Sequence, residues 1–141
     1  MILLSSLLRL GCLNKWENQY RMIIFSGEND SVYKLQLIFE ELSKGTIQNV
    51  CMNKLDFIIQ VHCLELTAIV SQNDSGLKRI DKKNNEYQWI LTRETWKHYA
   101  ELLSVFREGE PGHQYLDCNS DEVVKIMVSS GEYSDDWIGW S

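Results

Sequence analysis

The chain has 141 residues, enough for one domain and too few for a second independent core. Hydrophobic residues make up 44% and charged residues 24%, proportions that argue against a disordered chain or a membrane protein. Twenty acidic side chains against 14 basic ones give a net charge of −6, so the basic footprint that phosphate binding needs is missing and no nucleic-acid partner is expected.

The segment Met1 to Leu13 reads MILLSSLLRLGCL. No positive charge precedes its apolar run and Arg9 interrupts it, so neither an export signal nor a membrane span is expected. Leu3, Leu4, Leu7 and Leu8 fit one face of a short helix. The pattern becomes regular only after Arg21. Residues 1–21 are therefore expected to be a peripheral N-terminal extension, and residues 22–141 a single domain.

Met22 to Phe25 is a short apolar run, a strand or a lead-in, followed by turn chemistry at Gly27-Glu28-Asn29-Asp30. Asp30 or Ser31 is positioned to cap a helix in which Val32, Leu35, Ile38, Phe39 and Leu42 repeat at helical spacing, with Gly45 as its stop. The period then changes. Ile58 to Val70 reads as a strand with one wet face, carrying Glu65 and Thr67. Leu77 to Ile80 and Tyr87 to Leu91 read as two more, joined by short polar turns of the kind that link antiparallel neighbours.

Thr92 is the next cap, with Glu94 in the first turn of a second helix. Trp96, Tyr99, Leu103 and Phe106 form its apolar stripe, and Glu108 to Gly112 breaks it. Gln114 to Leu116 and Val123 to Ser129 read as a final strand pair, and Gly131 to Ser141 as a polar, aromatic tail. Strands interrupted by two amphipathic helices predict an α+β fold: two layers, with both main helices packed on one face of an antiparallel sheet.

Cys12, Cys51, Cys63 and Cys118 stand far apart with no C-x-x-C pair, and none of the three histidines forms H-x-x-x-H. No metal, no cofactor and no disulfide framework is expected. Free thiols point to a reducing cytoplasm. His62 and Cys63 are adjacent, yet neighbours on a strand point to opposite faces, which argues against a thiol and its base.

The C-terminal third is the most unusual region. His113, Tyr115 and Asp117 alternate, so on a strand they share one face, and Glu132 and Tyr133 follow a turn that can return toward it. Such groups could form an acid–base pocket. They better suit a Tyr and His hydrogen-bonded to a carboxylate for structural reasons, because buried polar groups need partners in any case. Asp135, Asp136, Trp137 and Trp140 set two carboxylates beside two indoles, either a partner-binding edge or a lid over the sheet. The run Pro111-Gly112-His113-Gln114-Tyr115-Leu116-Asp117, with Ser129-x-Gly131-Glu132-Tyr133 after it and a Trp96 to Leu103 helix before it, resembles the end of an uncharacterised family of small bacterial proteins. That resemblance implies a bacterial cytosolic protein and no mechanism.

The leading expectation is a non-enzymatic interaction module, most concretely an immunity-type or antitoxin-like protein. It would meet a basic protein partner through an acidic surface bearing His113, Tyr115, Asp117, Glu132, Tyr133, Asp135, Asp136, Trp137 and Trp140. The alternative is a small hydrolase or ligand-binding enzyme whose pocket collects His113, Tyr115, Asp117 and Glu132. A homodimer joined through the Trp-bearing tail is a third reading.

Overall fold

The structure, a computed structural model, describes residues 7–16, 20–61, 64–81, 85–116 and 124–132. Among these residues, nine strands and two α-helices follow one another as β1 (Leu8–Trp16), β2 (Tyr20–Gly27), α1 (Asn29–Lys44), β3 (Asn49–Cys51), β4 (Ile58–Gln60), β5 (Glu65–Val70), β6 (Gly76–Asp81), β7 (Glu86–Leu91), α2 (Arg93–Leu103), β8 (Gly112–Tyr115) and β9 (Val124–Ser130). Short 3-10 turns at Met52–Lys54 and Ser104–Glu108 complete the order. The fold is α+β.

In place of a single antiparallel sheet, the strands divide into two mixed sheets. One has the order β4-β1-β2-β9-β8 and the other β3-β5-β7-β6. The pairs β1/β4, β2/β9 and β5/β7 are parallel, and the remaining pairs are antiparallel. The stretch Ile58 to Val70, expected as one strand, contributes β4 to the first sheet and β5 to the second.

The short link from β5 to β6 does not make them neighbours. Ser71 N–H donates to Leu91 O at 2.9 Å and Ser75 N–H to Ile90 O at 3.0 Å, so the link lies across the end of β7, which separates the two strands. Turn composition alone cannot distinguish a return beside a strand from a return one strand further out.

Within residues 1–21, the strand β1 is not peripheral. β1 lies between β2 and β4, and Leu8, Leu10 and Cys12 are buried in the core. Its leucines satisfy both periods: Leu7 and Leu8 continue a helical face, whereas Leu8, Leu10 and Cys12 alternate at period two. Pairing with β2 on one side and β4 on the other decides for the strand.

Both helices form where the apolar spacing places them. Val32, Leu35, Phe39 and Leu42 of α1 are buried, and Gly45, at φ 75°, ends it with its N–H on the carbonyls of Glu41 and Leu42. The start differs by two to three residues from the Asp30 or Ser31 cap. Glu28 is the capping position and makes no side-chain cap bond; Asp30 instead accepts from Ser31 N–H, and the Ser31 hydroxyl donates to Glu28 O.

Thr92 does cap α2, its Oγ1 accepting from Thr95 N–H at 3.2 Å. Asp74, from the link over β7, supports that cap: Thr92 N–H donates to Oδ1 at 2.7 Å and the Thr95 hydroxyl to Oδ2 at 2.8 Å.

One buried cluster runs through both sheets and both helices. Its centre is aromatic. Trp89 of β7 meets Trp96 of α2 edge-on at 4.8 Å, and Phe39 of α1 stands 5.7 Å from Trp89 and 5.3 Å from Trp96. In β2, Met22, Ile23, Ile24 and Phe25 are all fully buried, the mark of a central strand covered on both faces.

The Asp74 carboxylate titrates below its ordinary value. Desolvation pushes it up, but the hydrogen bonds from Thr92 N–H and the Thr95 and Thr92 hydroxyls outweigh that. A depressed folded pKa contributes stability above the unfolded pKa, and that contribution is lost as pH falls through the folded one. Thr92→Ala is expected to cost about 1 kcal/mol in urea denaturation. The deficit of Asp74→Asn should be present at neutral pH and shrink as the medium is acidified below the carboxylate range. A deficit independent of pH would refute the assignment.

Candidate functional site

The C-terminal strand pair brings part of the expected site together. β8 is the outer strand of its sheet among the described residues, and it pairs antiparallel with β9 through Gly112↔Ser130, His113↔Ser129, Gln114↔Val128 and Tyr115↔Met127. On this strand His113 and Tyr115 share the exposed side, with Gly112 and Gln114 less exposed. Their rings meet edge to face at 5.4 Å. Leu116, just beyond, is buried and ties the strand end to the core, its N–H on Ile126 O at 2.9 Å.

Glu132 returns to His113 because the chain reverses after β9. Gly131 takes φ 68°, a left-handed conformation that glycine adopts without strain, and its N–H donates to Gly27 O at 2.8 Å. The carboxylate then lies with both oxygens on His113 Nδ1, at 2.9 and 3.0 Å. Ser129, which is buried, donates its hydroxyl to Glu132 Oε1 at 2.8 Å and so gives the carboxylate a second anchor.

An ionised carboxylate only accepts, so Nδ1 carries the proton in this pair and Nε2 takes no part in it. The His113 side chain is 40% exposed and that of Glu132 23%. The result is an imidazole with fixed tautomer and orientation at a sheet edge. No nucleophile accompanies it among the residues that fix it: the Ser129 hydroxyl is committed to Glu132 Oε1.

Two further segments meet at this end of the sheet. A Cβ on Gly131 would lie 3.7 Å from Glu28 Oε2 and 3.8 Å from Pro111, and one on Gly109 would lie 3.7 Å from Asn29 Nδ2. Glu28, Glu110 and Glu132 therefore belong to one neighbourhood, with the exposed Glu108 leading into it.

Of the expected site residues, the structure thus unites His113, Tyr115 and Glu132. Asp117, Tyr133, Asp135, Asp136, Trp137 and Trp140 lie outside the described residues, as do His62 and Cys63. Cys51 carries a free thiol. Ser129 was not identified from sequence, because a serine in an apolar strand carries no signal until its cross-strand partner is known. Among the described residues, no group of three or more His, Cys, Asp or Glu side chains could hold a metal ion, and no helix is long and apolar enough to cross a membrane. Compared with protein-family models, curated proteins and solved structures, the chain has no significant match in any of the three.

Proposed function

We propose that this protein is a non-enzymatic interaction module, of the immunity type, acting in the bacterial cytoplasm on a basic protein partner. The observation that carries the reading is the exposed outer strand β8, with His113 and Tyr115 on its surface and Glu28, Glu110 and Glu132 beside it. An outer strand offers unpaired backbone groups to a partner chain. Aromatic rings at its rim supply contact area, and the acids steer a basic partner toward it. The net charge of −6 extends that field over the molecule.

Glu110→Lys combined with Glu132→Lys is expected to slow association with the captured basic partner by about tenfold or more at low salt, and the gap to wild type should close as salt is raised. Surface plasmon resonance across an ionic-strength series reads both. A partner that binds the double variant at the wild-type rate would refute the reading.

A second reading has one specific observation in its favour: Glu132 orients His113 as a general base is oriented. A hydrolase pocket of His113, Tyr115, Asp117 and Glu132 would also need a nucleophile or an activated water at Nε2. Turnover of ester substrates that disappears in His113→Ala would establish it, and no turnover would reject it.

A further inference from the structure

A second place on the molecule is built as a small-molecule site. α1 and α2 run in opposite senses. Arg93, at the start of α2, donates through Nε to Ser43 O at 2.8 Å and through Nη2 to Lys44 O at 2.9 Å, while Arg107, just beyond the end of α2, lies over the Tyr33 ring of α1 at 4.9 Å. Between the helices lies a groove of about 560 Å³, within the range of small-ligand pockets. Gln36, Glu40, Ser43 and Lys44 line it from α1. Arg93, Lys97, Ala100 and Glu101 line it from α2, with Ser104 just after the helix.

The antiparallel arrangement makes the groove polar in a directional way. Lys44, Arg93 and Lys97 gather where α1 ends and α2 begins. Gln36 and Ser104 lie toward the other end, with Glu40 and Glu101 between. The hydroxyl protons are already committed: Ser43 donates to Glu40 O at 2.7 Å and Ser104 to Glu101 O at 2.6 Å. Beyond the cationic end, the groove therefore offers acceptors.

Gln36 is the informative residue. It lies within the apolar stripe of α1 and is only 4% exposed. Its Nε2 donates to Glu40 Oε1 at 3.4 Å, which settles the orientation of the amide, since the reverse would set two oxygens together. Its Oε1 is buried with no hydrogen-bond partner among the described residues. A buried acceptor without a donor is destabilising, and an apolar residue of the same size would remove the penalty. A groove wall that keeps one is suited to a ligand that brings the donor.

We propose that the groove between α1 and α2 binds a small zwitterion of free-amino-acid size. Its carboxylate is held at Lys44, Arg93 and Lys97, and its ammonium group donates to Gln36 Oε1 and is neutralised by Glu40 and Glu101. This site is separate from the β8 surface and stands whether or not that surface binds a partner.

The experiment is isothermal titration calorimetry of the full chain with each of the twenty common free amino acids, and with the N-acetylated and the decarboxylated form of any that binds. At least one free amino acid is expected to bind with Kd below about 1 mM, and both single-headed forms about tenfold more weakly or worse. Gln36→Leu should weaken binding about tenfold while melting at or above the wild-type temperature without ligand. Lys97→Glu, on the exposed rim, provides a second variant that keeps the core intact and should also lose binding. The proposal is overturned if no free amino acid binds at about 10 mM, if either single-headed form binds as well as the zwitterion, or if binding survives both substitutions.

Discussion

Trp89→Ala is expected to remove about 3–5 kcal/mol of folding stability, a large part of what a domain of this size possesses. Trp89 is fully buried on β7 and touches both helices through rings: Phe39 of α1 at 5.7 Å and 84°, Trp96 of α2 at 4.8 Å and 71°, and Tyr99 at 5.8 Å and 34°. The edge-to-face pairs with Phe39 and Trp96 add to the area term, and three partners lose their packing surface together. Neighbouring Trp96 also anchors its indole N–H on Ile69 O at 3.4 Å, so α2 is tied to the second sheet beside the cavity that alanine would open.

Trp89→Phe separates ring from heteroatom. The indole Nε1 of Trp89 is buried without a hydrogen-bond partner among the described residues, so phenylalanine gives up volume but also relieves an unmet donor. Its loss should be clearly smaller than that of alanine. Urea denaturation checks both variants through the midpoint at unchanged slope. A deficit below about 1 kcal/mol for Trp89→Ala would mean that the aromatic cluster does not hold the helices to the sheet.

The helices were legible because their information is local. Val32, Leu35, Ile38, Phe39 and Leu42, and later Trp96, Tyr99, Leu103 and Phe106, repeat within a few turns, and all are buried but the half-buried Ile38. The β8–β9 pairing was legible for the same reason. The division into two sheets was not, since parallel partners are remote: β2 pairs with β9 through Ile23↔Ile126 and Phe25↔Val128, and nothing in either strand names the other. Alternation tells a strand which face is buried, never which neighbour it has.

The site divides in the same way. His113 and Tyr115 on one strand face followed from period two alone, and the return of Glu132 from the Ser129-Ser130-Gly131 turn. Ser129 as the anchor of that carboxylate needed the coordinates. So did the groove: Gln36 falls at a helical position between Leu35 and Phe39, where a polar residue inside an apolar stripe is the one signal sequence offers, and Arg93 reaches the end of α1 across about fifty residues.

Removing residues 1–21 is expected to abolish cooperative folding. β1 is bonded on both sides: to β2 through the register Leu10↔Phe25 and Cys12↔Ile23, and to β4 through Leu8↔Ile58. Leu8 N–H donates to Phe57 O at 2.7 Å and Val61 N–H to Leu10 O at 2.9 Å. Among the described residues β4 has no other strand partner, so without β1 it leaves the sheet, and β2, with Met22 to Phe25 fully buried, becomes an open edge. Leu8, Leu10 and Cys12 also vanish from the core. The single change Leu10→Ala isolates the packing contribution and should cost about 2–5 kcal/mol while the strand pairing persists. Circular dichroism and a urea transition on the two proteins give the comparison. A truncated chain that still unfolds with a sharp transition would show that β2 and β9 carry the first sheet without β1, and that the leucines of the opening segment are dispensable to the core.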